Sequence, residues 1–168
     1  MTRTTNARLA GVTYFVYLVA GMGTMAVANR PHAIDVLNVF TAFSALVLGV
    51  TLYAITRDQD QDLAMIALIC RVLEAGPGPG EIFFAVGNTI FCWLLLRGRI
   101  IPPALAWLGT VASLLLVILL LAQRGGFFGG RTDWSSPFTW AVWLPLLAFE
   151  LTFAVWLLLR GATGPARA

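Results

Sequence analysis

Apolar residues run through this chain in six blocks, and the polar residues gather between the blocks instead of alternating within them. An α-helix needs ~20 mostly apolar residues to cross a bilayer's hydrocarbon core. The pattern predicts helices over residues 9–28, 34–55, 63–75, 81–96, 103–123 and 137–159. Asn29, Arg30, Pro31 and His32 form the first turn, with proline as punctuation. The loop RDQDQD at 57–62 puts aspartates at the start of the third helix, where carboxylates favour the positive end of the helix dipole. Prolines open the fifth helix. A Gly-rich loop over 124–136 carries Trp134 as an interfacial anchor, and the tail over 161–168 is expected to be disordered. The fold class is therefore all-α: one polytopic membrane helix bundle over residues 1–168, with about six transmembrane helices.

The third and fourth blocks break the pattern. Residues 63–75 make a helix of only ~20 Å and residues 81–96 one of ~24 Å, against a core of ~30 Å. Between them lies GPGPG, Gly76 to Gly80, which no helix continues through. Read this way, the hairpin stops below the outer headgroups. Irregular backbone at that depth is tolerated only when packed in protein or lining a wet cavity. The expectation is an outward-facing depression over the break, with Glu81 at its rim. Longer or less tilted helices are the alternative.

The third block also carries charge where a spanning helix carries none. Counting 1.5 Å per residue from the same end of each helix, Arg71 lies ~12 Å deep, Asn88 and Tyr17 ~14 Å, Glu150 ~15 Å and Glu74 ~17 Å. Polar groups from four helices thus share one layer. A lone charge there is costly, so partners are expected. The depths suggest Arg71 paired with Glu150 across helices, with Glu74 as a second carboxylate. One arginine facing two acids leaves one acid expected to hold a proton. The cluster can be an ion-pair clamp fixing helix register, or a proton donor or ligand site in a cavity. Trp140, Trp143, Leu147 and Glu150 share one face of the sixth helix, and Phe84, Asn88 and Phe91 one face of the fourth. If those faces converge, they make an aromatic slot with an acid at its floor, suited to apolar ligands and cations; ordinary core packing is the alternative. Asn38, Thr41 and Ser44 are expected to bond across helices. Gly21 and Gly23 are expected to allow close helix approach.

Composition agrees with a membrane protein and removes several functions. The chain is 59% hydrophobic and 11% charged, where a soluble domain is about a quarter charged. All eleven basic residues are arginines, and all but Arg71 flank apolar blocks without forming a patch, so nucleic acid is not an expected partner. Cys70 and Cys92 both lie in apolar blocks, and His32 is the only histidine. No structural zinc or bis-histidine haem site can be built from these, so no metal or cofactor is expected. Neither nucleotide-binding glycine motif occurs. A signal peptide cut after Ala28 is an alternative for the first block, but its length and the helices that follow favour a retained span. On one side of the bundle fall Arg3, Arg8, Arg57, Arg97, Arg99, Arg160 and Arg167, and on the other Arg30, Arg124 and Arg131. That asymmetry predicts an inner-membrane protein with both termini cytoplasmic.

Five short motifs occur in a recognisable order: ARLAG at 7–11 with Tyr14, TLYAITR at 51–57, CRVLEA at 70–75, FCWLLLRGRIIP at 91–102 and FELTFAVWLLLRG at 149–161. Together they resemble the bacterial integral membrane proteins of domain of unknown function family 4386, over residues 7–161. The resemblance implies about six transmembrane helices and no established activity. It maps the family's charged motif onto Arg71 and Glu74 and its last-helix acid onto Glu150. The chain departs from it at 76–80, where relatives carry a longer insertion.

The functional expectation is a multi-pass membrane protein of unassigned activity, with candidate reactive residues Arg71, Glu74 and Glu150. The candidate ligand-binding residues are Tyr17, Glu81, Phe84, Asn88, Trp140 and Trp143. Its partners are the bilayer and an apolar small molecule or lipid; an oligomer is possible. One rival is an acid-catalysed enzyme on isoprenoid or lipid substrates, terpene-cyclase-like, with Glu74 or Glu150 as acid. The others are a small transporter and a subunit of a membrane complex. No repeat relates 9–75 to 81–159, which weighs against the transporter.

Overall fold

The computed structural model describes residues 2–127 and 137–162. Trp134, Arg131, Arg167 and most of the tail expected to be disordered lie outside the described residues. The described residues form six α-helices and no strand: α1 (Arg3–Ala26), α2 (Pro31–Thr56), α3 (Gln61–Glu74), α4 (Gly80–Arg97), α5 (Pro103–Arg124) and α6 (Pro137–Leu159). All but α3 are long and apolar enough to cross a membrane. The protein is a multi-pass membrane helix bundle with five such spans and one short helix.

The helices begin where local chemistry can satisfy their first amide groups. The Thr2 side chain accepts from the Thr5 amide at 3.2 Å, so α1 starts six residues before its apolar block, at Arg3. Asp60 caps α3 by accepting from the Leu63 amide at 3.1 Å. Proline occupies the first turn of α2 and α5, where its missing N–H is no loss.

Each helix packs on its neighbours in sequence, and α6 returns to pack on α1. The bundle is therefore a closed ring of antiparallel neighbours. The start of α1 meets the ends of α6 and α2: Gly161 lies against Thr4, and the Arg3 guanidinium donates to the Ile55 carbonyl at 3.3 Å. Asp60 and Arg97 pair at this same end, at 3.4 Å. Outward faces carry residues such as Val19, Val39, Phe43 and Ile118, each more than half exposed, which suits contact with lipid chains.

Glycines set the tightest contacts. A Cβ at Gly49 of α2 would fall 2.9 Å from the Cβ of Arg71, and one at Gly87 of α4 would fall 2.9 Å from the Cβ of Cys70. Thus α3 is wedged between two helix backbones that only glycine lets come so close. Gly23 does meet α2, through Leu37. Gly21 does not serve close approach: nothing lies within 4 Å of its missing side chain, because it faces a gap in the bundle.

Candidate functional site

The site begins with the length of α3. Its 14 residues rise ~20 Å, while the 26 residues of its neighbour α2 rise ~38 Å. Beyond Glu74 the chain turns through residues 75–79, with Gly78 at φ 134° where a side chain would be strained. Gly76, Pro77 and Gly78 are exposed. Where α3 has ended, the ring is incomplete. A cavity of about 450 Å³ opens there, lined by α1, α2, α4 and α6, at the end of the bundle away from the chain termini.

Beneath this cavity the charged residues sort themselves into a closed cluster. Arg71 is fully buried, and its Nη1 donates to Glu74 Oε2 at 2.7 Å. The other Glu74 oxygen accepts from the Tyr17 hydroxyl, also at 2.7 Å. Both oxygens of this carboxylate are thus held by short, charge-assisted bonds. The Arg71 guanidinium carbon lies 5.0 Å from the Phe84 ring centre and 5.6 Å from that of Tyr17, within range of a cation–π attraction. Arg71 Nε and Nη2 have no hydrogen-bond partner among the described residues.

The expected ion pair between Arg71 and Glu150 does not form. Glu74 stands one turn away on the same face, so it reaches the guanidinium with no gap between helices to bridge. Glu150 sits on α6, which is not a neighbour of α3 in the ring. It lies close enough to feel the charges of Arg71 and Glu74 without touching either.

Glu150 instead lines the cavity. Its side chain is 4% exposed, and its Oε1 has no hydrogen-bond partner among the described residues. Around it stand aromatic rings. Tyr17 stacks on Phe84 with centres 6.1 Å apart, and Phe84 stacks on Trp143 at 6.2 Å with planes 2° apart. This row of rings joins α1, α4 and α6, and all three rings line the cavity. Trp140, Leu147 and Glu81 complete the side walls. Pro145 lies within this stretch of α6, so the helical hydrogen bond to the Ala141 carbonyl cannot be made.

The structure therefore brings Tyr17, Glu81, Phe84, Trp140, Trp143 and Glu150 to one cavity. It does not bring Asn88 there. Asn88 is buried deeper, accepting from the Tyr14 hydroxyl at 3.5 Å and donating to Ser113 Oγ at 3.1 Å, which ties α4 to α1 and α5. Phe91, from the same expected stripe, is in the core. Asn38 and Thr41 depart from expectation in the other direction. They line the cavity, and Thr41 donates to the Leu37 carbonyl of its own helix at 2.9 Å instead of to a neighbouring helix. Their exposure to the gap could be found from the sequence only by noticing that they lie above the level where α3 ends. Among the described residues, no cluster of three or more histidine, cysteine or acidic side chains could hold a metal.

No curated protein and no solved structure matches the chain. A family model matches residues 78–161, which hold α4, α5, α6 and the cavity acids Glu81 and Glu150. The motifs ARLAG, TLYAITR and CRVLEA, with Arg71 and Glu74, fall outside that match. The match covers half of the chain, which belongs to the family described as a domain of unknown function, DUF4386.

Proposed function

We propose that this membrane protein binds an apolar or amphiphilic small molecule in the cavity above α3, with Glu150 as its polar anchor. The observation that carries the reading is the Glu150 carboxyl group: buried, at the cavity wall, with an oxygen that no described residue satisfies. Buried polar groups are otherwise nearly always paired, and an exception calls for an explanation such as a missing ligand. A volume of about 450 Å³ and mostly apolar walls match pockets that take small molecules. The arginine asymmetry supports an inner-membrane location with cytoplasmic termini. The cavity would then open on the opposite side, and reporter fusions to both termini test that orientation.

Gly21 offers a clean test of occupancy. A leucine there projects into the cavity, meets no atom within 4 Å at its Cβ, and replaces a poor helix former with a good one. Purified parent and Gly21→Leu protein are extracted with organic solvent and compared by mass spectrometry. The expected result is a co-purifying amphiphile depleted several-fold in the variant. Equal recovery of every extracted species from the two proteins would defeat the reading.

The same acid supports a second reading, an acid-catalysed enzyme. A protonated Glu150 would deliver its proton to an alkene carbon of an isoprenoid. The π electrons form the new C–H bond and leave a carbocation facing the aromatic rings. A second alkene of the same molecule attacks that cation to close the ring, and the cyclised carbocation loses a proton to the Glu150 carboxylate, which leaves a neutral alkene and restores the acid. Turnover of prenyl substrates that disappears in Glu150→Gln would favour this over binding alone.

A further inference from the structure

The charges around the cavity do not balance, and the imbalance has a sign. Arg71 lies against two of the lining rings, but it is matched by Glu74 at 2.7 Å. It lies against Phe84 and Tyr17 and is not itself part of the cavity wall. Two further carboxyl groups do line the wall: Glu150 on α6, buried, and Glu81 on the first turn of α4, exposed. The α1 lining offers Tyr17 and Thr24, and the α2 lining offers Asn38 and Thr41, all neutral. No arginine, lysine or histidine lines the cavity among the described residues. Phe84, Trp140 and Trp143 line the same cavity as the two acids. Aromatic rings attract cations through their quadrupole, most strongly when water is excluded, and tryptophan does so best.

From this juxtaposition we infer that the cavity selects hydrophobic organic cations: amines, or quaternary ammonium or phosphonium groups carrying apolar substituents. The inference rests on the ligand-binding reading above and narrows it to a substrate class. The positive centre sits against the Glu150 carboxylate and the tryptophan rings, and Glu81 draws cations toward the opening. The apolar substituents fill the space beside Leu147 and Met22. An anion of the same shape would meet two carboxyl groups and, among the described lining residues, no basic side chain.

The test uses the full chain in a neutral detergent and three probes of similar ring content. They are tetraphenylphosphonium, a cation; tetraphenylborate, an anion of nearly the same shape; and triphenylphosphine oxide, which is neutral. Affinities are measured by isothermal titration. The cation is expected to bind at least ten-fold more tightly than either of the others. Glu150→Gln should weaken the cation ten-fold or more and leave the neutral probe within two-fold. Glu81→Gln should cost the cation two- to three-fold, and Gly21→Leu should weaken every probe that enters the cavity. If the neutral probe or the anion binds as tightly as the cation, and Gly21→Leu weakens it, the cavity binds ligands but the charge preference is wrong. If no probe shows binding that Gly21→Leu weakens, both the preference and the cavity reading fail. Comparison of the three probes on the parent protein decides the charge question even if a variant fails to fold.

Discussion

Glu74, partly buried, and Glu150, buried, belong to the same bundle, and their surroundings are opposites. Glu74 has both oxygens bonded, to Arg71 and to Tyr17, each at 2.7 Å. Glu150 is more deeply buried than most charged residues ever are, yet one of its oxygens has no partner among the described residues. The Glu74 region has the form of a register clamp: a charge placed in the interior together with the groups that neutralise it. At Glu150 the buried carboxyl group borders the cavity, and one of its oxygens has no described neighbour to bond. Depth in the membrane is the same kind of liability for both. What differs is the carboxyl group: both oxygens of Glu74 are bonded, whereas Glu150 Oε1 has no partner among the described residues.

The sharpest way to break the comparison is at Arg71. Arg71→Met leaves the partly buried Glu74 carboxylate with only the Tyr17 hydroxyl, and is expected to cost about 3 kcal/mol of stability, the lower end for a broken buried pair. The double change Arg71→Met/Glu74→Gln should recover much of that. Thermal unfolding in mild detergent checks both. If the double variant is no better than the single, the pair is not the reason Arg71 matters.

Tyr17 belongs to both regions, since its hydroxyl serves the clamp while its ring lines the cavity. Tyr17→Phe keeps the ring and removes the hydroxyl. It is expected to lower stability by about 1.5–3 kcal/mol, as for a hydrogen bond to a charged group, while leaving probe affinity within two-fold. A large loss of affinity with unchanged stability would reverse the assignment of that hydroxyl.

The smallest stability effect is expected at Glu150. Glu150→Gln removes a buried acid that no described residue clamps, so unfolding should shift by less than about 1 kcal/mol in either direction. A loss as large as that of Arg71→Met would show that Glu150 also has a structural partner, and the contrast between the two acids would disappear.

Several parts of this arrangement are legible in the residues. The two short blocks around GPGPG announce a hairpin that stops early, although only α3 is short, since α4 is long and apolar enough to span; Trp140, Trp143, Leu147 and Glu150 announce a shared face. The Arg71 partner was misjudged, because estimates of depth treat every acid in a layer as equally available. In the folded ring, α3 and α6 are not neighbours, whereas Glu74 needs no neighbour to be reached. Asn88 looked like part of the aromatic slot because it shares a helical stripe with Phe84. It sits one turn further from the cavity, where Tyr14 and Ser113 take its hydrogen bonds.

The sequence by itself determined the number, order and type of the helices. Each apolar block must satisfy its own backbone hydrogen bonds when it leaves water, and a helix is the local way to do so. It also determined that α3 would be short and charged. The tertiary structure alone decided which acid is paired and which faces open space. Those outcomes depend on how the ring closes: on Gly49 and Gly87 letting α3 slide between its neighbours, and on α6 returning to α1. Packing between helices is set by side-chain shape at contacts far apart in the chain, and no local pattern of apolar and polar residues encodes it.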